Sequence, residues 1–100
     1  MGSIALFRTL ILAFAFASTP AFAAAHYHAE PAAKPAQAKY VLKDIVWKCG
    51  DQGCAGGKGS SRPAIVCAVL ARQVGPLRSF AVEGQALAAG DLEKCNARAD

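Results

Sequence analysis

Tyr40–Lys48, YVLKDIVWK, runs directly into Cys49–Ser61, CGDQGCAGGKGSS, and the reading of the fold starts from this junction. The first segment is rich in β-branched and aromatic residues and holds neither Gly nor Pro, so it predicts a strand. Lys43 interrupts the face bearing Val41, Ile45 and Trp47. The second segment carries five glycines and predicts a loop. Beyond it, helix signals accumulate. Ser60 or Ser61 can cap, Pro63 suits a first turn, and Gly75-Pro76 ends the run. Between them Ile65, Val66, Val69, Leu70 and Val74 recur at helical spacing, with Arg72 on the other side.

Further along, Leu77–Val82 reads as a second strand and Glu83-Gly84 as a two-residue hairpin turn, with a short return over Gln85–Leu87. Ala88–Ala99 predicts a final helix. Leu92 and Cys95 lie one turn apart, with Asp91 and Glu93 near its start and Arg98 near its end. The expected fold class is α+β: a small disulfide-stabilised domain over 40–100, ordered strand, loop, helix, hairpin, helix.

Towards the N-terminus the chain changes character. Ala24–Lys39, AAHYHAEPAAKPAQAK, has one large apolar side chain, Tyr27, and Pro31 and Pro35 forbid a continuous helix, so residues 24–39 read as a disordered Ala/Pro-rich spacer. Before it, Met1–Arg8 carries one positive charge and Leu10–Ala17 is an apolar run. Ser18, Thr19 and Pro20 end that run, and Ala21-Phe22-Ala23 supplies a small-x-small cleavage site. Residues 1–23 are the layout of a secretory signal peptide. The apolar run is too short for a membrane span, which needs about 20 apolar residues. The expectation is a periplasmic or secreted protein with no transmembrane anchor after cleavage.

Composition narrows the function. Apolar residues are 54% of the chain, yet alanine supplies much of that figure and crowds the first third of the sequence. Eleven Lys+Arg face seven Asp+Glu, a net +4 that is too weak and scattered to predict nucleic-acid binding.

The cysteines are Cys49, Cys54, Cys67 and Cys95. An even count in an exported chain predicts a disulfide framework, and a domain of about 60 residues is marginal without one. Three pairings exist. Cys49–Cys54 with Cys67–Cys95 is favoured, because the first closes the glycine-rich loop and the second staples the central helix to the last. Zinc is disfavoured, since no C-x₂-C knuckle occurs, and a redox C-x-x-C is missing as well.

Several chemistries find no footing. Tyr40–Asp100 has no histidine, so a Ser or Cys nucleophile there has no imidazole base, and no enzyme activity is expected. Asp91 and Glu93 are two apart and would point to different helix faces. GGKGSS has Gly59 after Lys58 where a phosphate loop needs Ser or Thr. Trp47 reads as core, and Lys43, Lys48, Lys58, Arg62, Arg72 and Arg78 as solubilising charge.

Two sharper possibilities are the tail and the loop. Cleavage after Ala23 would expose Ala24-Ala25-His26, and cleavage after Ala25 would expose His26-Tyr27-His28. Either places histidine third from a free amine, a set of nitrogens that binds Cu(II) or Ni(II) in a square plane, with His26 and His28 as candidate ligands. Gly50–Ser60, closed by Cys49–Cys54, would suit a secreted inhibitor that presents a rigid loop to an enzyme cleft.

VWKCGDQGC, then SRPAIVCAVLARQVGPLRSFAVEGQALAAGDLEKCNARA, resembles a group of short exported four-cysteine alphaproteobacterial proteins of uncharacterised function. The four cysteines, SRPAIVCA, G-x-L-R-S-F and the final KCNA carry the resemblance, which spans about Tyr40 to Ala99. It implies no activity, cofactor or catalytic residue. The expected function is binding to another cell-envelope protein or surface, without catalysis.

Overall fold

The structure, a computed structural model, describes residues 25–99. Residues 1–23, read as a signal peptide, lie outside that range. The elements in chain order are β1 Tyr27–Pro31, β2 Lys39–Leu42, β3 Ile45–Gly50, β4 Gly53–Gly56, α1 Pro63–Val74, β5 Leu77–Val82, β6 Gln85–Ala86 and α2 Ala89–Asn96. The six strands form one antiparallel sheet, ordered β2-β3-β4-β1-β5-β6. The fold is α+β, as the sequence leads one to expect.

The arrangement differs from expectation most at the N-terminal end. Residues 25–38 are not a disordered spacer: β1 lies in the interior of the sheet, paired to β4 on one side and β5 on the other. Its side chains alternate, with Tyr27 and Ala29 buried while His28 and Glu30 face outward. Period-2 alternation is the strand signature. Alanine at 29 supplies little hydrophobic signal, yet its methyl is fully buried. The folded domain therefore starts well before Tyr40, and only 32–38 connects β1 to β2.

Tyr40–Lys48 is likewise not one strand. It folds back at Lys43-Asp44 into the β2/β3 hairpin, pairing Tyr40 with Trp47 and Val41 with Val46. Lys43 has φ 56°, a left-handed conformation that turns the chain. The interruption at Lys43 is thus the turn itself. It brings Tyr40, Ile45 and Trp47 to the buried face and leaves Val41 on the other. The segment 49–61 is only partly loop, because Gly53–Gly56 forms β4 between β3 and β1. Glycine is required twice there. Gly53 has φ +108°, and a Cβ on it would lie 2.5 Å from the Ala29 carbonyl oxygen. A Cβ on Gly56 would lie 2.9 Å from the Trp47 ring.

The helices pack on the buried face. Pro63 opens α1, whose N-cap is Arg62 rather than a serine. The Arg62 carbonyl accepts the Ile65 and Val66 N–H bonds, and no side chain caps the helix. Gly75 ends it with φ +91°. Val66, Cys67, Leu70 and Ala71 are its buried residues. Beneath them Tyr27, Trp47 and Phe80 pack ring to ring, with centroids 5.5–6.3 Å apart. Trp47 is core, 1% exposed. Glu83 and Gly84 both take positive φ in the β5/β6 turn, the backbone a two-residue hairpin demands.

The last helix is shorter than expected, eight residues, with Cys95 its one fully buried side chain. The Asn96 amide clamps α2 to the start of β5. Its Nδ2–H donates to the Leu77 carbonyl and its Oδ1 accepts the Leu77 N–H, both at 2.8 Å.

Candidate functional site

All four cysteines are paired, as Cys49–Cys54 and Cys67–Cys95. The favoured connectivity is the one adopted. Cys49 and Cys54 are directly opposite residues of the β3/β4 ladder, and their Cα atoms are 4.0 Å apart. Antiparallel pairs between the ladder hydrogen bonds have the closer Cα spacing, about 4.5 Å, which suits a cross-strand link. Cys67 and Cys95 join α1 to α2 across 5.8 Å between Cα atoms.

The histidines that sequence reading placed in a spacer sit on an ordered strand and its entry. His26 precedes β1, and its Nδ1 is 3.3 Å from Glu83 Oε2. The His26 carbonyl accepts the Glu83 N–H at 2.7 Å. His28 Nε2–H donates to the Gln52 carbonyl at 3.1 Å. The two rings are thus engaged by different turns, one on either side of β1. Among the described residues, no group of three or more His, Cys, Asp or Glu side chains is placed to hold a metal. A chelate built on His26 would also need Ala24, outside the described range, and would compete with Glu83 for the imidazole.

The glycine-rich segment named for an inhibitor is largely built into the sheet. Gly53–Gly56 pairs on both sides. What remains as loop is 57–61, and this is tied down as well. The Ser60 N–H donates to Asp44 Oδ2 at 2.8 Å. That bond and the Ser60 hydroxyl hold the Asp44 carboxyl below its ordinary value of 3.8, the hydroxyl contributing most. Burial raises the Tyr27 phenol above its ordinary 10.0, and the Asp44 charge adds to the rise.

The sheet face turned away from the helices carries a different feature. Across the strands one row reads Lys39, Lys48, Ala55, His28, Ala81, Ala86. Beside the lysine end, Val41 and Val46 are directly opposed, 64% and 46% exposed. Val41 lies on β2, an edge strand that pairs on one side only, and Val46 lies next to it on β3. Lys39 and Lys48 face each other as like charges, a destabilising cross-strand pair. Neither has an ion-pair partner among the described residues. Sequence reading missed this site because Val41 was placed on the buried face. The signal was there in the turn pair Lys43-Asp44, which reverses the chain and fixes the register.

Among the described residues, no helix is long and apolar enough to cross a membrane. Comparison with curated proteins finds no match to this chain, and comparison with solved structures finds none. One family model does match, over residues 12–97, and the chain thereby belongs to a family of unknown function, DUF8200.

Proposed function

We propose that this is an exported, non-enzymatic binding protein of the cell envelope, and that its partner is a protein with an acidic extended segment that adds to the β2 edge. The observation that carries the reading is the Val41/Val46 pair, exposed beside the unpaired outer edge of β2 and flanked by Lys39 and Lys48. A free edge offers backbone N–H and C=O groups to an incoming strand, the valines offer apolar contact, and the lysines select acidic side chains. Export is supported by the paired cysteines, since disulfides persist in oxidising compartments, and by the signal-like segment 1–23.

A photo-crosslinking residue placed at Val41 in the oxidised protein, incubated with the envelope fraction, should give one adduct. Its crosslinked peptide should be rich in Asp and Glu, and Val46→Asp should abolish it. Adducts formed equally well from a crosslinker at Lys58, or unchanged by Val46→Asp, would overturn the assignment. Export is checked on the exported material itself: alkylation before reduction should label no thiol, and the mature N-terminus should fall at residues 24–26.

A further inference from the structure

The central helix is more apolar than the sheet needs. Val66 and Leu70 are spent on the core, whereas Ile65 and Val69, on the same helix, are not fully buried and line a groove shared with α2. With Leu87 they line a groove of about 620 Å³ between α1 and α2. Ala68 lies between Ile65 and Val69 on the same wall. Its rim holds Arg72, Lys94 and Arg98 against a single acid, Asp91.

Arg72 and Lys94 lie in the last turns of their helices, where the macrodipole favours cations. That accounts for two positive charges on the protein surface. It does not account for their convergence, with Arg98, over an apolar floor. The volume is that of a small-molecule site, typically about 300–1,000 Å³. The walls are helices of 12 and eight residues, and Ile65, 38% exposed, is the one large apolar side chain there more than a third exposed. That is too little for a stable protein interface, which buries about 800 Å² per partner.

We propose that the α1–α2 groove binds a single-chain anionic amphiphile of the fatty-acid class. The hydrocarbon chain lies along Ile65, Val69 and Leu87, and the carboxylate pairs with Arg72, Lys94 and Arg98. The site is independent of the β2 edge.

Titration of the oxidised protein with dodecanoate, followed by calorimetry, should show saturable one-to-one binding. Arg72→Glu with Arg98→Glu should weaken it at least tenfold, and the uncharged dodecanol should bind at least tenfold more weakly than dodecanoate. Ala68→Trp, which fills the groove, should remove binding, while Val41→Asp leaves it unchanged. Absence of saturable binding would overturn the proposal. So would dodecanoate affinity that the double charge reversal does not alter, or a protein that crosslinks from Ile65 while dodecanoate fails to displace it.

Discussion

Cys49–Cys54 lies within the sheet and Cys67–Cys95 between the helices, and the two regions rely on their sulfurs to different degrees. The sheet already has an aromatic cluster of Tyr27, Trp47 and Phe80 beneath α1, and six hydrogen-bonded strands. Its disulfide spans a separation of five residues that the ladder and the Asp51-Gln52 turn hold together anyway. The helical side has no such redundancy. Below about 12–15 residues an isolated helix is marginal in water, and α2 has eight, with a single buried side chain that is itself a cysteine. Two attachments stand out there, the disulfide to α1 and the Asn96 clamp to Leu77. Packing holds the sheet, and covalent linkage holds the last helix.

The largest effect should come from the sheet's packing. Tyr27→Ala removes a buried ring that touches both other aromatics, from a strand with neighbours on both sides. A large buried aromatic truncated to Ala costs about 3–5 kcal/mol. Small domains are stable by only about 5–15 kcal/mol. The variant should therefore be largely unfolded in mild urea, read by loss of Trp47 fluorescence shift. Near wild-type stability would mean that β1 is dispensable and that the domain starts at β2 after all.

Next in size is the helical link. Replacing Cys67 and Cys95 together with alanine releases a separation of 28 residues, worth about 3.5 kcal/mol in the chain-entropy model. Amide exchange should show α2 losing protection first, while β1, β4 and β5 keep theirs. The matching change at Cys49 and Cys54 should cost at most about 2 kcal/mol, because the loop is short and its ends stay paired. If the sheet variant proves the weaker of the two, the contrast between packed and linked regions fails.

The same contrast explains what could be read from the sequence. From Pro63 onward the order of elements was legible: Pro63, Gly75-Pro76, strand β5 and the Glu83-Gly84 turn are local signals and are realised locally, although α1 is capped by Arg62 rather than a serine and α2 is shorter than expected. The first four strands were not, because the contacts that place β1 are between residues far apart in sequence. Ala29 is an interior strand residue because Cys54 and Phe80 lie on either side of it, and nothing near position 29 announces them. The alternation of Tyr27, His28, Ala29 and Glu30 was the available clue, and Pro31 and Pro35 after it obscured it. The candidate site suffered likewise. The cysteine pairing adopted is the one, of three possible, that the sequence favours, whereas the exposure of Val41 and Val46 follows from a register set by a turn at Lys43-Asp44.

The smallest effect concerns that turn and its tie to the loop after β4. Asp44 accepts from Ser60, and its folded-state carboxyl lies below the ordinary 3.8. A carboxyl depressed on folding adds stability that is present above its unfolded value and is lost as pH falls through the folded one. The contribution should therefore be full at neutral pH and begin to fade near pH 4, disappearing at lower pH. Asp44→Asn should lower the melting temperature slightly at pH 7 and progressively less at acid pH, so that the two curves converge on acidification. Because Asp44 is exposed, salt and solvent keep the effect small. Parallel curves with a constant gap would show that Asp44 acts through the shape of the turn rather than through its charge, and that the loop after β4 is held by the packing of Gly59 against Ile45 instead.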